Sequence, residues 1–393
     1  MSIPRTSPDQ LAADATDLLG KLVAFDTTSR NSNLALIAFV EAKLAEIGAA
    51  GTRVGNAEGS KCNLYATIGP SVEGGVVLSG HTDVVPVDRQ EWQSDPFTLT
   101  RRGDRLYGRG TADMKSFLAL ALAAAPLFRD GARPVHLAFS YDEEVGCIGA
   151  PAMIREIAAH VPRVAAVVVG EPTNMEVVSA HKAISTWIIT VTGHEAHSSL
   201  THLGVSANMA AIRLMHSLSQ LAERLRQEAP PSAAPFMPPH ATLTIGQING
   251  GTAVNILARE CVFAFDLRCP PGLEPDQLIA PFLREAAELD AELKQRFPEC
   301  GVSAVRRSGA PALAPEADGD AEPLVRRLAG DNGPARAASY AAEAGQFQQA
   351  GFSTVICGPG SIEQAHQPDE FIELTQIERG AAFMLRLAEA MRS

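Results

Sequence analysis

Several acids and histidines in this 393-residue chain stand where an apolar run gives way to a turn. His81 and Asp83 follow the buried-strand pattern in "VVLSGHTDVVPV" (76–87), and Asp113 comes directly after "YGRGTA". Asp142, Glu143 and Glu144 close the strand-like 135–141, and Glu171 closes 165–170. Alone, each has an ordinary reading: "HTD" as an Asx turn, "DEE" as a solvated turn, "GEP" as the start of a loop. Together they mean more, because the binding crevices of open α/β sheets lie beyond the carboxyl ends of the strands. Like charges gathered in such a crevice repel unless a cation or a proton joins them. Imidazole and carboxylate are ligands that zinc accepts, and a pair of metals needs a carboxylate between them. Residues i and i+2 of an extended chain point to one side. Asp83 is therefore expected to orient the His81 ring by accepting from its non-ligating N–H. If the strand persists, Glu143 and Glu144 face opposite ways, one binding metal while the other faces water as general base.

The elements that must carry these residues alternate. Helical spacing in 7–25 and 33–49 is followed by strands at 62–68 and 75–80, a helix in "DMKSFLALALAAAPLFRD", a strand at 135–141, a helix in "APAMIREIAAHV" and the strand "VAAVVVGEP". Runs that are apolar at every position suit strands covered on both faces, so the class is α/β with a mixed, largely parallel sheet flanked by helices. Near 180 the pattern changes to period two in "KAISTWIITVTG". A helix at about 204–228, a Pro-rich loop at 229–240, strands at 241–249 and 259–268, a helix at 275–296 and a strand at 302–307 follow. That β-α-β-β-α-β order is ferredoxin-like α+β. The expected organisation is a first domain in two segments, 1–180 and 311–393, interrupted by an inserted domain at 181–310. The final helix is expected at 374–391.

Composition narrows the partners. A net charge of −12 with no long basic run argues against nucleic acid and anionic membranes. No segment has the apolar length of a membrane span. The opening "MSIPRTSPDQLAADATDLLGKLVAFDTTSR" lacks the apolar core of a secretory signal, so a cytoplasmic location is the simplest expectation. The six cysteines are dispersed without a CxxC pair and read as reduced, structural thiols. No GxSxG or GxGxxG stretch occurs, which removes serine-hydrolase and dinucleotide-binding readings. "GHEAHSS" is one residue short of the helical zinc motif HExxH, so His194 and His197 do not form that site. Arg268 closes the period-two strand "CVFAFDLR", where its fork of donors suits a carboxylate; a salt bridge to Asp266 is the competing reading.

The segments "SGHTDVVPV", "LYGRGTADMKS", "YDEEVGCIGA", "VGEPT", "GHEAHSS", "NGGTAVNILA" and "GPGSIEQAHQPDE", in this order, resemble the M20 family of metallopeptidases and deacylases. The resemblance implies a zinc-exopeptidase-like catalytic domain with an inserted lid that also forms a homodimer. It implies two zinc ions per subunit, with cobalt able to substitute. His81 and Glu171 would hold one metal, Glu144 and His366 the other, and Asp113 would bridge them. His366 enters only through the resemblance, although its loop follows the strand "FSTVIC". Asp83 would be the orienting carboxylate and Glu143 the general acid/base. His197 would be donated across the dimer to the oxyanion, and Asn255 and Arg268 would meet the substrate carboxylate or the oxyanion. Within the family, "DEEVGCIGA", "AEAGQFQQAG" and "GPGSIEQAHQPDEFIE" look most like the acetylornithine deacetylase branch, which would release ornithine and acetate from the small acylated amino acid. The alternatives are a succinyl-diaminopimelate desuccinylase, an aminoacylase, an acetylcitrulline deacetylase, a deformylase or a dipeptidase. Ser116 and Ala342 depart from the branch's usual glycine and threonine, and Ala342 leaves the amino-acid preference open.

Overall fold

The computed structural model describes residues 6–392; the first five residues of the amino-terminal stretch discussed above lie outside them. The chain begins with α1 (Pro8–Val23), α2 (Leu34–Glu46), β1 (Gly51–Gly55), β2 (Cys62–Ile68), β3 (Gly75–His81), β4 (Thr100–Arg102) and β5 (Arg105–Tyr107). Next come α3 (Lys115–Phe128), β6 (Val135–Ser140), α4 (Ala150–His160), β7 (Val164–Val169) and the short β8 (Ala180–His181). The middle of the chain holds β9 (Ala183–Thr192), α5 (Ala207–Gln227), β10 (Thr242–Gly250), β11 (Glu260–Cys269), α6 (Pro275–Arg296) and β12 (Gly301–Ala310). The last segment is α7 (Ala321–Ala329), β13 (Ala337–Ala338), α8 (Ala344–Gln349), β14 (Thr354–Ile356), β15 (Phe371–Glu373) and α9 (Leu374–Ala390).

The chain divides into two units. The first unit comprises the described chain up to Ala180, then Pro315–Arg336, then Ala342 onward; the second unit is His181–Ala314 with Ala337–Ala341. In the first unit a six-stranded sheet runs in the order β1-β2-β6-β3-β7-β14. β6, β3, β7 and β14 are mutually parallel, while β1 and β2 pair antiparallel at one edge. Every position of β3 and β6 is buried, as interior parallel strands require. α3 is apolar around most of its surface and packs into the same core. Because the four parallel strands point one way, the chain leaves their carboxyl ends along one rim.

The second unit has its own core under a four-stranded antiparallel sheet of order β10-β11-β9-β12, with α5 and α6 supplying the cover. This is the ferredoxin-like arrangement. α6 keeps its expected bounds: Pro275 fits the first turn, where no N–H is needed, and Ile279, Phe282, Ala286, Leu289 and Leu293 bury one stripe. α5 starts later than the expected 204, because the Ser206 hydroxyl accepts from the Met209 N–H and caps it there.

Two boundaries differ from the sequence reading. The second unit extends past 310 to Ala314, because Leu313 and His181 still exchange backbone hydrogen bonds of 3.0 and 3.1 Å. It also recaptures 337–341, where the Lys182 N–H donates to the Ala338 carbonyl and the Ser339 hydroxyl to that of Met237. All six cysteines are free and buried. Among the described residues no helix is long and apolar enough to cross a membrane.

Candidate metal centre

His81 is the last residue of β3, and its Nε2 lies 3.0 Å from Asp113 Oδ1 and 3.9 Å from Glu171 Oε1, just beyond β7. All three are buried. On the other side of Asp113, Oδ2 is 3.4 Å from His366 Nε2, which is 3.0 Å from Glu144 Oε2. The ligand atoms of each trio lie within 4.8 Å of one another, and Asp113 belongs to both trios, one oxygen turned to each. Tetrahedral zinc at bond lengths of about 2.0–2.1 Å spaces its ligand atoms about 3.3 Å apart, so these separations suit a divalent ion in each trio. Glu144 Oε1 and Glu171 Oε1 are buried acceptors with no hydrogen-bond partner. Two unsatisfied carboxylate oxygens beside a shared carboxylate and two imidazoles are a donor set that fits two metal ions.

The electrostatics give the same account. Burial alone would lower the His81 pKa, yet the Asp113 carboxylate, with Glu171 and Glu143, holds it well above its ordinary value. His366 is raised to about 10 by its contacts with Asp113 and Glu144. Burial would raise Asp113, but His366 and His81 hold it well below the usual carboxylate range. Burial and then the Asp113 charge push Glu144 up to about 7 and Glu171 well above its ordinary value. Glu143 is likewise raised by burial. Without metal, protons balance these converging acids; divalent cations do the same with less strain.

Asp83 does not do what its spacing suggested. The His81 Nδ1 partner is the Asp83 backbone carbonyl at 2.8 Å, while the Asp83 carboxylate is 3.8 Å away. That carboxylate instead accepts from the Ser29 hydroxyl (2.7 Å) and from the backbone N–H groups of Glu143 (3.1 Å) and Glu144 (3.3 Å). It therefore anchors the acid pair rather than the ring. Nor does the strand persist through 142–144. β6 ends at Ser140, and Asp142 turns at φ 56° with its carboxylate on Lys61. Glu143 Oε1 accepts from the buried Cys147 thiol at 3.2 Å, a neighbour the sequence reading did not single out.

Other residues around the centre were also missed. Glu370 and Arg109 form a fully buried ion pair at 2.7 Å. Glu343 is 1% exposed, its carboxyl raised to about 7 by burial, with the Ser140 and Ser79 hydroxyls beside it. Burial lowers the Lys115 ammonium to about 7, and its Nζ donates to the Phe25 carbonyl. An ionisable residue set among apolar neighbours in "DMKSFLAL" or in "AEAGQF" was the available signal.

The remaining candidates belong to the second unit. His197 is exposed, with Nδ1 2.8 Å from the Ser199 hydroxyl. The Ser198 N–H donates to the Asn255 carbonyl, so His197 and Asn255 lie on adjoining segments. Arg268 is not with them. It stands at the far end of β11 from Asn255, about 27 Å along an extended strand, and its Nε is engaged by Asp266 at 2.9 Å.

Known proteins agree with this architecture. Residues 77–390 match Peptidase family M20/M25/M40. The chain is 38% identical over 337 residues to an acetylornithine deacetylase of Proteus mirabilis, covering 84% of this chain and 82% of that one. It is 36% identical over 358 residues to an acetylornithine deacetylase of Pasteurella multocida, covering 88% of each. Among solved structures, an M20 family metallo-carboxypeptidase from Sulfolobus solfataricus superposes with a TM-score of 0.76 at 15% identity, covering 96% of this chain and 98% of that one. Human carnosine dipeptidase 1 does so with a TM-score of 0.74 at 18% identity, covering 97% and 98%. These two carry the fold, and the sequence matches carry the lineage. The chain belongs to the M20 peptidase family, and is an amide-hydrolase relative within it.

Proposed function

We propose that this chain is a dinuclear zinc amidohydrolase that splits N-acetyl-L-ornithine into L-ornithine and acetate, a step of arginine biosynthesis. The observation that carries the reading is Asp113 shared between two ligand trios, with the buried Glu143 beside them. The names of the sequence relatives support the choice of substrate. His81, Glu171 and Asp113 would hold one zinc, and Asp113, Glu144 and His366 the other; cobalt suits the same donors. Bound there, the metal pair supplies Lewis acidity and brings water within reach of deprotonation near neutral pH. Glu143 takes the proton from the attacking water and returns it to the departing α-nitrogen as the C–N bond breaks. Asp83 fixes the backbone from which Glu143 acts. In this proposal His197 of the partner subunit donates to the carbonyl oxygen as it gains charge, Asn255 on the segment adjoining His197 meets one polar end of the substrate, and Arg268 of the opposite chain meets the other.

The homodimer belongs to the same proposal. Edge strand β10, helix α5 and the loop before β11 expose Ile248, Met209, Ile212, Val254 and Ile256, an apolar surface suited to a second copy. The cytoplasmic location rests on the free cysteines, which fit a reducing compartment. The test is a panel of Nα-acylated amino acids and dipeptides offered to the metal-stripped chain after zinc or cobalt is restored. The expected result is no turnover without metal and the highest kcat/KM on N-acetyl-L-ornithine. A preference for a succinylated substrate, another acetylated or formylated amino acid, or a dipeptide would overturn the substrate assignment. Full activity in the metal-free chain would overturn the mechanism.

A further inference from the structure

Of the five ligands in the metal centre, His81 ends a core strand and Glu171 stands two residues past another. Glu144 is tethered by Asp83. His366 has no such support. It lies in a loop ten residues beyond β14, its side chain is half exposed, and its backbone is at φ 63°. Even so, its ring meets both Asp113 and Glu144. Something other than the sheet sets that distance.

The candidate is a closed circuit of hydrogen bonds behind the ligands. Both oxygens of the Glu370 carboxylate are fully used. Oε1 accepts from the backbone N–H groups of Ala112 (2.8 Å) and Asp113 (3.1 Å), and Oε2 from Arg109 Nη1 (2.7 Å) and the Gly110 N–H (3.0 Å). Arg109 continues the circuit. Its Nη1 also donates to the Gln367 carbonyl (3.3 Å) and its Nη2 to Gln90 Oε1 (2.6 Å), while its guanidinium lies over the Trp92 ring. Gln90 closes it, because its Nε2 donates to the backbone carbonyl of His366 at 3.0 Å. The path runs from the Asp113 backbone through Glu370, Arg109 and Gln90 to the His366 backbone. A buried ion pair is a poor source of net stability, since desolvating two charges offsets their attraction. Here the pair joins two loops, 108–113 and 366–370, that leave the β5–β15 pairing at Tyr107 and Phe371, where the Gly108 N–H still donates to the Glu370 carbonyl (3.0 Å), and it carries that connection on toward the ligands.

We infer that Arg109, Glu370 and Gln90 are positioning residues for the second metal subsite: they set His366 against Asp113, so that occupancy of the Glu144–His366 side depends on them far more than that of the His81–Glu171 side, whose other two ligands stand on or just past core strands. The inference rests on the two-metal reading above. None of the three touches substrate or metal; they act through Asp113 and His366.

The experiment is a zinc titration of metal-stripped wild type, Glu370→Gln and Gln90→Ala, with stoichiometry by elemental analysis and affinities from competition with a chromophoric chelator. Gln90→Ala removes the link to His366 and the partner of Arg109 Nη2 but leaves both members of the ion pair in place, so it tests the inference even if Glu370→Gln folds poorly. Wild type is expected to bind two zinc ions per subunit. Each variant is expected to keep one at near wild-type affinity and to lose about 10- to 100-fold at the other, the usual effect of removing a group behind a ligand. Equal weakening of both sites would make the circuit general scaffolding and overturn the inference, as would two unchanged sites. A wild-type chain that takes only one zinc overturns the two-metal reading, and this inference with it.

Discussion

The two units offer their chemistry in opposite ways. In the catalytic unit the ionisable candidates are mostly buried and are held by each other: Asp113 by two histidines, Glu143 and Glu144 by Asp83, His366 by Gln90. In the second unit His197 and Asn255 are exposed, and Arg268 sits at the other end of β11. Apolar exposure follows the same division. Of the large exposed hydrophobics among the described residues, Val72, Ile148 and Ile362 are in the catalytic unit, while nine, including Met209, Ile248 and Val254, are in the second. The catalytic unit assembles a charged site from its own strands. The second unit presents donors and an apolar surface outward, as the proposed homodimer would use them.

The sharpest way to break that contrast is to remove one group from each side. Glu143→Ala should reduce kcat by about 10³- to 10⁴-fold, the upper range for a lost general base, while bound metal stays near wild type. Loss of metal in proportion to activity would make Glu143 a ligand-support residue instead. His197→Ala should cost about 10²- to 10³-fold in kcat, the range of an oxyanion donor, with unchanged metal content and melting temperature because the side chain is exposed. Mixing the two inactive variants sharpens the comparison. If His197 serves the other subunit's centre, mixed dimers regain one working site, Glu143 from one chain and His197 from the other. If it serves its own chain, no mixture recovers activity.

A smaller effect is expected on the apolar surface. Ile248→Asp on edge strand β10 places a charge in the proposed dimer contact, so sedimentation should show a concentration-dependent shift to monomer. Activity should fall about two-fold at the dissociation midpoint, where half the chains lack a partner, and further on dilution below it. Unchanged activity in the monomer would separate catalysis from dimerisation.

The difference between the units also explains what could be read from sequence. His81, Asp113, Glu144 and Glu171 were legible because the apolar strands before three of them, and the turn before Asp113, fix where the chain must leave the sheet. His366 was not legible from its residues alone. Its loop has no periodicity, and the inferred circuit meets it only at its backbone carbonyl, which leaves no mark on residue identity. Asp83 shows the same limit. Spacing placed it correctly beside His81, but the carbonyl, rather than the carboxylate, took the ring. The recapture of 337–341 depends on one alanine carbonyl and one serine hydroxyl, which no side-chain pattern announces. The separation of Arg268 from Asn255 follows from the extended strand between them, which the period-two pattern did show.

The smallest effect concerns histidines outside the site, and it compares the two cores directly. His136, on β6 of the catalytic unit, is 1% exposed and burial pushes its pKa down to about 4; His181 of the second unit is lowered to about 4 in the same way. A folded-state pKa below the unfolded value near 6.5 means the unfolded chain takes up the proton first as pH falls. Each histidine's contribution is therefore fully present above about pH 6.5, declines as pH falls toward 4, and is constant below. For a shift of this size the loss is about 3 kcal/mol per group. His136 Nδ1 is 2.9 Å from the Thr67 hydroxyl and Nε2 has no partner, so His136→Gln keeps a polar neighbour for Thr67 without a titrating ring. The variant should match wild-type activity at neutral pH. Denaturant unfolding between pH 7 and pH 4 should show its acid loss smaller by about 3 kcal/mol, with the share of His181 remaining. An acid limb identical to wild type would mean that folding does not lower the His136 pKa.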